Sequence, residues 1–322
     1  MKAAVHMSYG PPEVLRCTTV ATPTPGYGEI LVAVASAAVT TVDCVFRRGN
    51  QLAARSFTGL LRPSRPVLGG QFSGEVVAVG EGVSRFAEGN AVMGSTGGFG
   101  AHAEFVCVRQ DAVIAPKPGH ISHGEAAAFV EGALTALPFL RDTGGLQEGY
   151  RVLVNGASGS VGSAAVQIAH CLGARVTAVA STKNHEWLLA LGAEETIDYS
   201  LTDFALGGKL YDIVFDAVGR SSFSHARRAL KPGGVYLSTV LGAGIVVQML
   251  RTSLGKGPKA RFAATGMRPE EEQSRDLAFL VNLLDAGRLS ARVDRIFSLH
   301  DIVEAHRYVE TGHKKGNVLV EP

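Results

Sequence analysis

The sequence predicts an α/β protein in two parts: a strand-rich N-terminal part, then a doubly wound parallel sheet. Three observations carry this. The length of 322 residues exceeds the roughly 100–200 residues of a single domain. The texture of the chain changes near Ser122. Beyond that point short apolar runs alternate with helical stretches of about ten residues, the pattern of βαβ units.

Residues up to 115 read as short strands, Lys2–His6, Ile30–Ala38, Gly74–Val79, Ala91–Met93 and His102–Val108, punctuated by Gly and Pro. Leu52–Pro66 holds Arg55, Arg62, Arg65 and two prolines without periodicity. It reads as a long loop, with a lid as one option. Ser122-x-x-Glu125 has the form of a capping box and opens an apolar helix to about Leu140. Arg151–Asn155 is a buried strand. Ser163–Leu172 is a helix with Ala165, Ile168, Ala169 and Leu172 on one face, stopped by Gly173. Strand Arg175–Ala180, helix Asn184–Leu191, strands Thr196–Tyr199 and Asp212–Ala217, helix Ser222–Leu230 and strand Val235–Val240 follow. After Gly242 come a strand at Arg261–Thr265, amphipathic helices at Glu270–Ala286 and Asp301–Glu310, and a strand at Val318–Val320. Ala243–Leu250 is apolar and lines either a pocket or a contact with a second copy.

Composition excludes several classes. Hydrophobic residues at 46% against 19% charged supply a core, so the chain is not disordered. Lys+Arg 31 against Asp+Glu 29 leaves +2, too little for a protein that binds nucleic acid mainly by charge. The first residues hold no signal-peptide core. Ala126–Leu140 is interrupted by Glu131 and Pro138 and is shorter than the roughly 20 residues of a membrane span. Cys17, Cys44, Cys107 and Cys171 form no C-x-x-C pair and read as reduced thiols of a cytoplasmic protein.

The strongest local signal is Arg151-Val-Leu-Val-Asn-Gly156-Ala-Ser-Gly159-Ser-Val-Gly162, a strand passing through glycines into a helix. Gly156 makes the tight turn, Gly159 lets main chain approach a pyrophosphate, and Gly162 lets the helix pack on the sheet. The helix start offers N–H groups and partial positive charge to phosphate. The stretch Gly156, Ala157, Ser158, Gly159, Ser160, Val161 and Gly162 is therefore the expected dinucleotide turn of a Rossmann sheet. NAD binders place Asp or Glu roughly 20 residues further on, for the ribose 2′-OH. Here that place reads Ala180-Ser181-Thr182-Lys183-Asn184, with no carboxylate to repel a 2′-phosphate. Ser181, Thr182, Lys183 and Asn184, with Tyr199 in reach from the third strand, point to NADPH.

With these residues the chain resembles the medium-chain dehydrogenase/reductase superfamily, and within it the zinc-independent quinone oxidoreductase (zeta-crystallin-like) branch, over nearly its whole length. Gly69–Val92, Gly132-Ala-Leu-Thr-Ala136, Gly156–Gly162, Asp212–Gly219, Leu230–Gly234 and Gly312–Val318 are similar to that branch's signatures. Asn90 stands where an Asp is common. The resemblance implies a GroES-like β-barrel domain, residues 1–122 and 267–322, with an inserted Rossmann domain, residues 123–266. It also implies a cofactor contact at Thr135. Asp216, Ala217, Val218 and Gly219 would line the nicotinamide ribose, and Leu241 the cofactor's far side, with Lys315, Gly316 and Asn317 closing over it. Thr40, in place of a family Asn, is the candidate hydrogen-bond donor to substrate, and Asp43 a structural contact.

Zinc-dependent relatives carry a Gly-His-Glu where this chain has Gly69-Gly70-Gln71, and four cysteines where residues 94–110 have one. A catalytic zinc needs three protein ligands, so no metal is expected. His120 and His123 read as a solvated loop pair. Without a Lewis acid, acceptors whose charge delocalises, quinones and activated C=C bonds, are favoured over simple ketones. The expected activity is NADPH-dependent reduction of a quinone or enone by a homodimer that binds neither membrane nor nucleic acid. The alternatives are an enoyl-thioester reductase and a non-catalytic NADPH sensor or RNA-binding protein.

Overall fold

The computed structural model describes residues 1–50, 55, 56 and 58–322. In chain order the first strands are β1 (Lys2–His6), β2 (Leu15–Thr19), β3 (Glu29–Val39), β4 (Gln71–Val79), β5 (Ala91–Ser95), β6 (Phe105–Arg109) and β7 (Ile114–Pro116). Then come β8 (Arg151–Asn155), β9 (Arg175–Val179), β10 (Glu195–Ile197), β11 (Tyr211–Asp216), β12 (Leu230–Ser238), β13 (Lys259–Arg261), β14 (Val293–Ser298) and β15 (Asn317–Glu321). The helices are α1 (Thr41–Arg48), α2 (His123–Pro138), α3 (Ser160–Cys171), α4 (His185–Ala190), α5 (Phe223–Ala226), α6 (Ala243–Ser253), α7 (Glu270–Asp285) and α8 (Ile302–Glu310).

The chain divides into two compact units. One holds Met1–Glu131, Pro269–Asp285 and Ser290–Pro322; the other holds Gly132–Arg268 and Ala286–Leu289. The division between Glu131 and Gly132 falls inside α2.

The first unit is built on a sheet ordered β14-β15-β3-β4-β5-β7, with β6 also pairing β3, and on the hairpin of β1 and β2. Its pairs are antiparallel apart from β14 with β15. In β3 the inward residues Ile30, Val32 and Val34 alternate with partly exposed ones, as the strand's two-residue period requires. They pack with Phe72, Val76, Val92, Ile302 and Val318 in one core.

Helix α1 lies in a stretch to which the sequence assigned no element. Thr40 caps its start, and Gly49, with φ 59°, ends it through an N–H donated to Val45 O. Within the expected long loop Arg55, Ser56 and Thr58 are helical, whereas residues 59–66 form neither helix nor strand. The part of it at 52–54 and 57 lies outside the described residues. β2, β7 and β14 are also additions to the strands anticipated above.

The second unit is a parallel sheet ordered β10-β9-β8-β11-β12-β13. Its central strands are buried on both faces, with Val152, Leu153, Val154, Val214 and Phe215 fully enclosed. From β8 the chain runs outward through β9 to β10, then returns to place β11 on β8's other side. The strand order therefore reverses between β8 and β11, and ligands of open α/β sheets bind at such a point, beyond the strands' carboxyl ends.

Candidate functional site

The glycine turn occupies this switch point. Gly156 leaves β8 with φ +78°, and a side chain there would collide with Val218. The Gly156 and Ala157 N–H groups donate to Val179 O at 3.1 and 3.0 Å, tying the turn to the neighbouring strand. A Cβ on Gly162 would collide with Gly156 O, whereas one on Gly159 would meet nothing nearer than 3.6 Å. Gly162 is thus required by protein packing, whereas a Cβ at Gly159 would make only ordinary contact. Gly159 is also the N-cap of α3, so the N–H groups of Ser160, Val161 and Gly162 have no acceptor within the helix. The buried Ser160 hydroxyl has no hydrogen-bond partner among the described residues. An unpartnered hydroxyl and a bare helix start, reached over a residue without a side chain, fit a diphosphate. Helix α2 crosses here: a Cβ on Gly132 would lie 2.6 Å from Ser160 O. Thr135, three residues on, is half-buried.

Turns at the ends of β11 and β12 flank this one. Asp216 is fully buried and accepts from Asn155 Nδ2 at 3.0 Å, Gly219 N at 3.0 Å, Ser221 N at 2.8 Å and Tyr236 Oη at 3.0 Å. Its carboxylate is engaged within the protein and fixes the turn, which corrects the expectation that Asp216 itself faces a ribose. Burial, then the Asp216 charge, pushes the Tyr236 phenol up. Ala217, Val218 and Gly219 remain at the strand end. Gly219, with φ +66°, leaves no room for a side chain against Val240, and Leu241 beyond it is exposed.

At the end of β9, Ser181 is half-buried and Thr182 and Lys183 are exposed. Asn184 is buried and its amide donates to Ser181 Oγ at 3.1 Å, so it braces the turn rather than facing outward. A carboxylate does stand here, against expectation. Asp198, at the end of β10, accepts from Thr182 N at 2.7 Å and from the Thr182 hydroxyl. It also accepts from Ser200 N at 2.8 Å and Ser200 Oγ at 2.6 Å. The Ser200 and Thr182 hydroxyls hold its carboxyl well below the usual range. Parallel pairing of β10 with β9 brings this residue, 16 positions distant, beside Thr182. Tyr199 follows it, exposed.

In the other unit, Thr40 is buried. Its hydroxyl donates to Asp43 Oδ2 at 2.7 Å and accepts from Asp43 N at 3.2 Å. Asp43 Oδ1 accepts from Gly69 N at 3.1 Å. The Thr40 proton expected to face a substrate is engaged in this cap. Asn317 is buried too, its amide donating to Arg292 O at 3.1 Å, and Gly316 takes φ +80° against the same carbonyl. Lys315 remains half-buried, with its N–H on Asp294 Oδ2 at 2.9 Å. His123 is not solvated: its Nδ1 lies 2.8 Å from Ser73 Oγ. His120 is exposed, 3.5 Å from Asp285.

One group escaped the sequence reading. Glu131 appeared there only as an interruption of an apolar run, yet that interruption is the signal. Burial pushes its carboxyl up to about 7, against a pull from Lys314 and with a further push from Asp43. It is half-buried on α2, one turn before Thr135, on a helix otherwise mostly enclosed. Among the described residues no group of three or more His, Cys, Asp or Glu is arranged to hold a metal ion.

A barrel-type sheet unit and a switch-point glycine turn define a dehydrogenase/reductase class, and the comparisons narrow it. The family model "Alcohol dehydrogenase GroES-like domain" matches residues 26–119, and "Zinc-binding dehydrogenase" matches 191–320. A mouse protein, "NAD(P)H oxidoreductase RTN4IP1, mitochondrial", is 32% identical over 99% of this chain and 89% of its own. The tomato "2-methylene-furan-3-one reductase" is 32% identical over 100% of this chain and 79% of its own. The solved quinone oxidoreductase of Coxiella burnetii superimposes with TM-score 0.86 at 32% identity, covering 100% and 99% of the two chains. That of Escherichia coli, complexed with NADPH, gives 0.85 at 25%, covering 100% of both. The chain belongs to the medium-chain dehydrogenase/reductase superfamily, in its quinone oxidoreductase branch, and is an oxidoreductase.

Proposed function

We propose that this oxidoreductase uses NADPH to reduce quinones or α,β-unsaturated carbonyls, without zinc. The observation that carries the reading is the Gly156–Gly162 turn at the β8/β11 switch point, with its bare helix start and unpartnered Ser160 hydroxyl. When bound, the reduced nicotinamide supplies the hydride. Gly156, Ala157, Ser158, Gly159, Ser160, Val161 and Gly162 would hold the diphosphate by main chain and helix dipole. Ser181, Thr182, Lys183 and Tyr199 would take the 2′-phosphate, with Asn184 as their brace. Asp198 adds a negative charge nearby, but four protein donors already engage its oxygens, so Lys183 is left to meet the phosphate. Ala217, Val218, Gly219, Leu241 and Thr135 would border the rest of the cofactor, and Asp216 positions the turn that carries three of them. Lys315 stays a candidate contact; Thr40, Gly316 and Asn317 serve the frame.

We place the cofactor role in residues 123–266 and the substrate role in 1–122 and 267–322. A homodimer is supported by the apolar exposure of Val246, Val247, Leu250 and Leu254 on and beside α6, next to the edge strand β13. The four free cysteines are consistent with cytoplasmic residence. Among the described residues no helix is long and apolar enough to cross a membrane.

The test is a panel of quinones, enones, acyl-thioesters and aldehydes with NADPH or NADH, alongside metal analysis of the purified protein. NADPH oxidation with quinones or enones and no stoichiometric zinc is the expected result. Turnover confined to aldehydes with bound zinc, or no turnover with any acceptor, would overturn the reading.

A further inference from the structure

The first unit encloses a polar nest that neither the fold nor the proposed reaction explains. His6 on β1, Arg47 on α1, His102 before β6 and His306 on α8 are each 1% exposed or less. The His102 and His306 rings lie 6.0 Å apart, edge to face. His6 and Arg47 lie close enough to act on His306 electrostatically. Five nitrogens of these side chains have no hydrogen-bond partner among the described residues: His6 Nε2, His102 Nδ1, His306 Nε2, and Arg47 Nε and Nη1. Buried polar groups are nearly always satisfied, and an unmet one costs about 1–3 kcal/mol.

The bonds that are made decide what the unmet atoms offer. His6 Nδ1 lies 2.8 Å from Pro66 O, and His102 Nε2 lies 3.0 Å from Ala38 O. A carbonyl only accepts, so these two nitrogens carry the protons, and in neutral rings His6 Nε2 and His102 Nδ1 are lone pairs. Arg47 Nε and Nη1 can only donate, while Arg47 Nη2 already serves Glu310. Cys44 Sγ lies 3.4 Å from His306 Nδ1, and burial, then Asp43, pushes that thiol up to about 12, so it keeps its proton. The single thiol proton has two acceptors in reach, His306 Nδ1 and His306 O at 4.0 Å, so the thiol does not fix the His306 tautomer, and the donors and acceptors of defined character are those of His6, His102 and Arg47.

The nest therefore presents donors and acceptors together. An anion would face two imidazole lone pairs, and a metal ion would face the Arg47 guanidinium. We infer that the nest is a buried hydration site, in which ordered water accepts from Arg47 and donates to His6 Nε2 and His102 Nδ1. Water is the small ligand that does both, and buried waters make about three such bonds. The site ties β1, α1, the residues before β6 and α8 together, and so seats the helix whose first turn is the Thr40–Asp43 cap. It does not depend on the proposed reaction.

A high-resolution crystal structure grown with bromide in place of chloride tests this, together with ¹⁵N NMR of the histidines at neutral pH. The expected result is water at about 2.7–3.2 Å from Arg47 and from an imidazole nitrogen, with His6 protonated on Nδ1 and His102 on Nε2. A bromide anomalous peak in the nest, stoichiometric zinc bound there, or a dry nest with Arg47 turned elsewhere would each overturn it. Either histidine in the opposite tautomer would do so too. Arg47→Met should lose a water peak and lower Tm; if that variant does not fold, the tautomers in the unmodified protein still decide.

Discussion

Lys183 is the exposed cation at the tip of β9, and its worth depends on the phosphate it meets. A charge-assisted bond contributes about 1.5–3 kcal/mol, so Lys183→Ala should raise the Kd of NADPH roughly tenfold or more and barely alter that of NADH. Fluorescence titration of both cofactors checks this, and equal losses would remove the phosphate assignment. Asp198 sharpens the comparison. Asp198→Asn removes a negative charge beside Thr182 and should tighten NADPH relative to NADH. Glu131 allows a second kind of test. Its folded carboxyl titrates at about 7 against an ordinary 4.5. Between those values the folded chain holds a proton that the unfolded chain has released, so this group's contribution to stability falls as pH rises through that window. Glu131→Gln should therefore raise Tm at about pH 8, with the gain shrinking towards about pH 5. A gain that grows on acidification would contradict the burial argument.

At the scale of elements, the two glycines flanking the start of α3 separate ligand from packing. Gly159→Val places its Cβ no closer than 3.6 Å to any protein atom. It should leave Tm nearly unchanged while abolishing cofactor binding by calorimetry. Gly162→Ala drives a methyl into Gly156 O and should cost about 1–3 kcal/mol of stability, read as a lower denaturation midpoint. The reverse pattern would move the cofactor away from this turn. That turn was legible because strand, glycines and helix are contiguous, and β8 has the bounds Arg151–Asn155 read from the sequence. The capping box at Ser122 and Glu125 was equally local, and both its bonds form, at 2.9 and 3.1 Å. Helix α1 escaped notice although Thr40-x-x-Asp43 is the same kind of box, because its eight residues are too few for a helical period to stand out in the sequence. β14 was missed for a different reason. None of its residues is buried, and its pairing with β15 is set by a partner more than 20 residues away. Asp216 and Asn317 were found by position, but their partners Asn155, Tyr236 and Arg292 are brought to them by tertiary contacts. Sequence spacing could not show that their polar groups point into the protein.

Across the whole molecule, acid stability follows from the nest of buried histidines. Burial holds His306 well below its ordinary 6.5, with His102, Arg47 and His6 adding to the effect. Burial also lowers His6, against an upward pull from Pro66 O and with a further push from Arg47. The groups facing them are Arg47 and Cys44 from α1, His102 before β6, and Glu310 at the end of α8, which Arg47 engages. Below about 6.5 the unfolded chain takes up protons that these rings refuse, so it binds more protons than the folded chain and stability rises with pH. The contribution is complete above that value and is lost as pH falls towards each ring's folded pKa. Glu131 opposes this between 4.5 and about 7, as one group against two. Tm should accordingly hold near neutrality and drop between about pH 6.5 and 5.5, before the bulk of the carboxylates titrate. His306→Gln cannot take up the proton and should flatten that drop even if its Tm near neutrality is lower. A Tm that stays level or climbs over this interval in the unmodified protein would show that protons reach these rings without loosening the barrel unit.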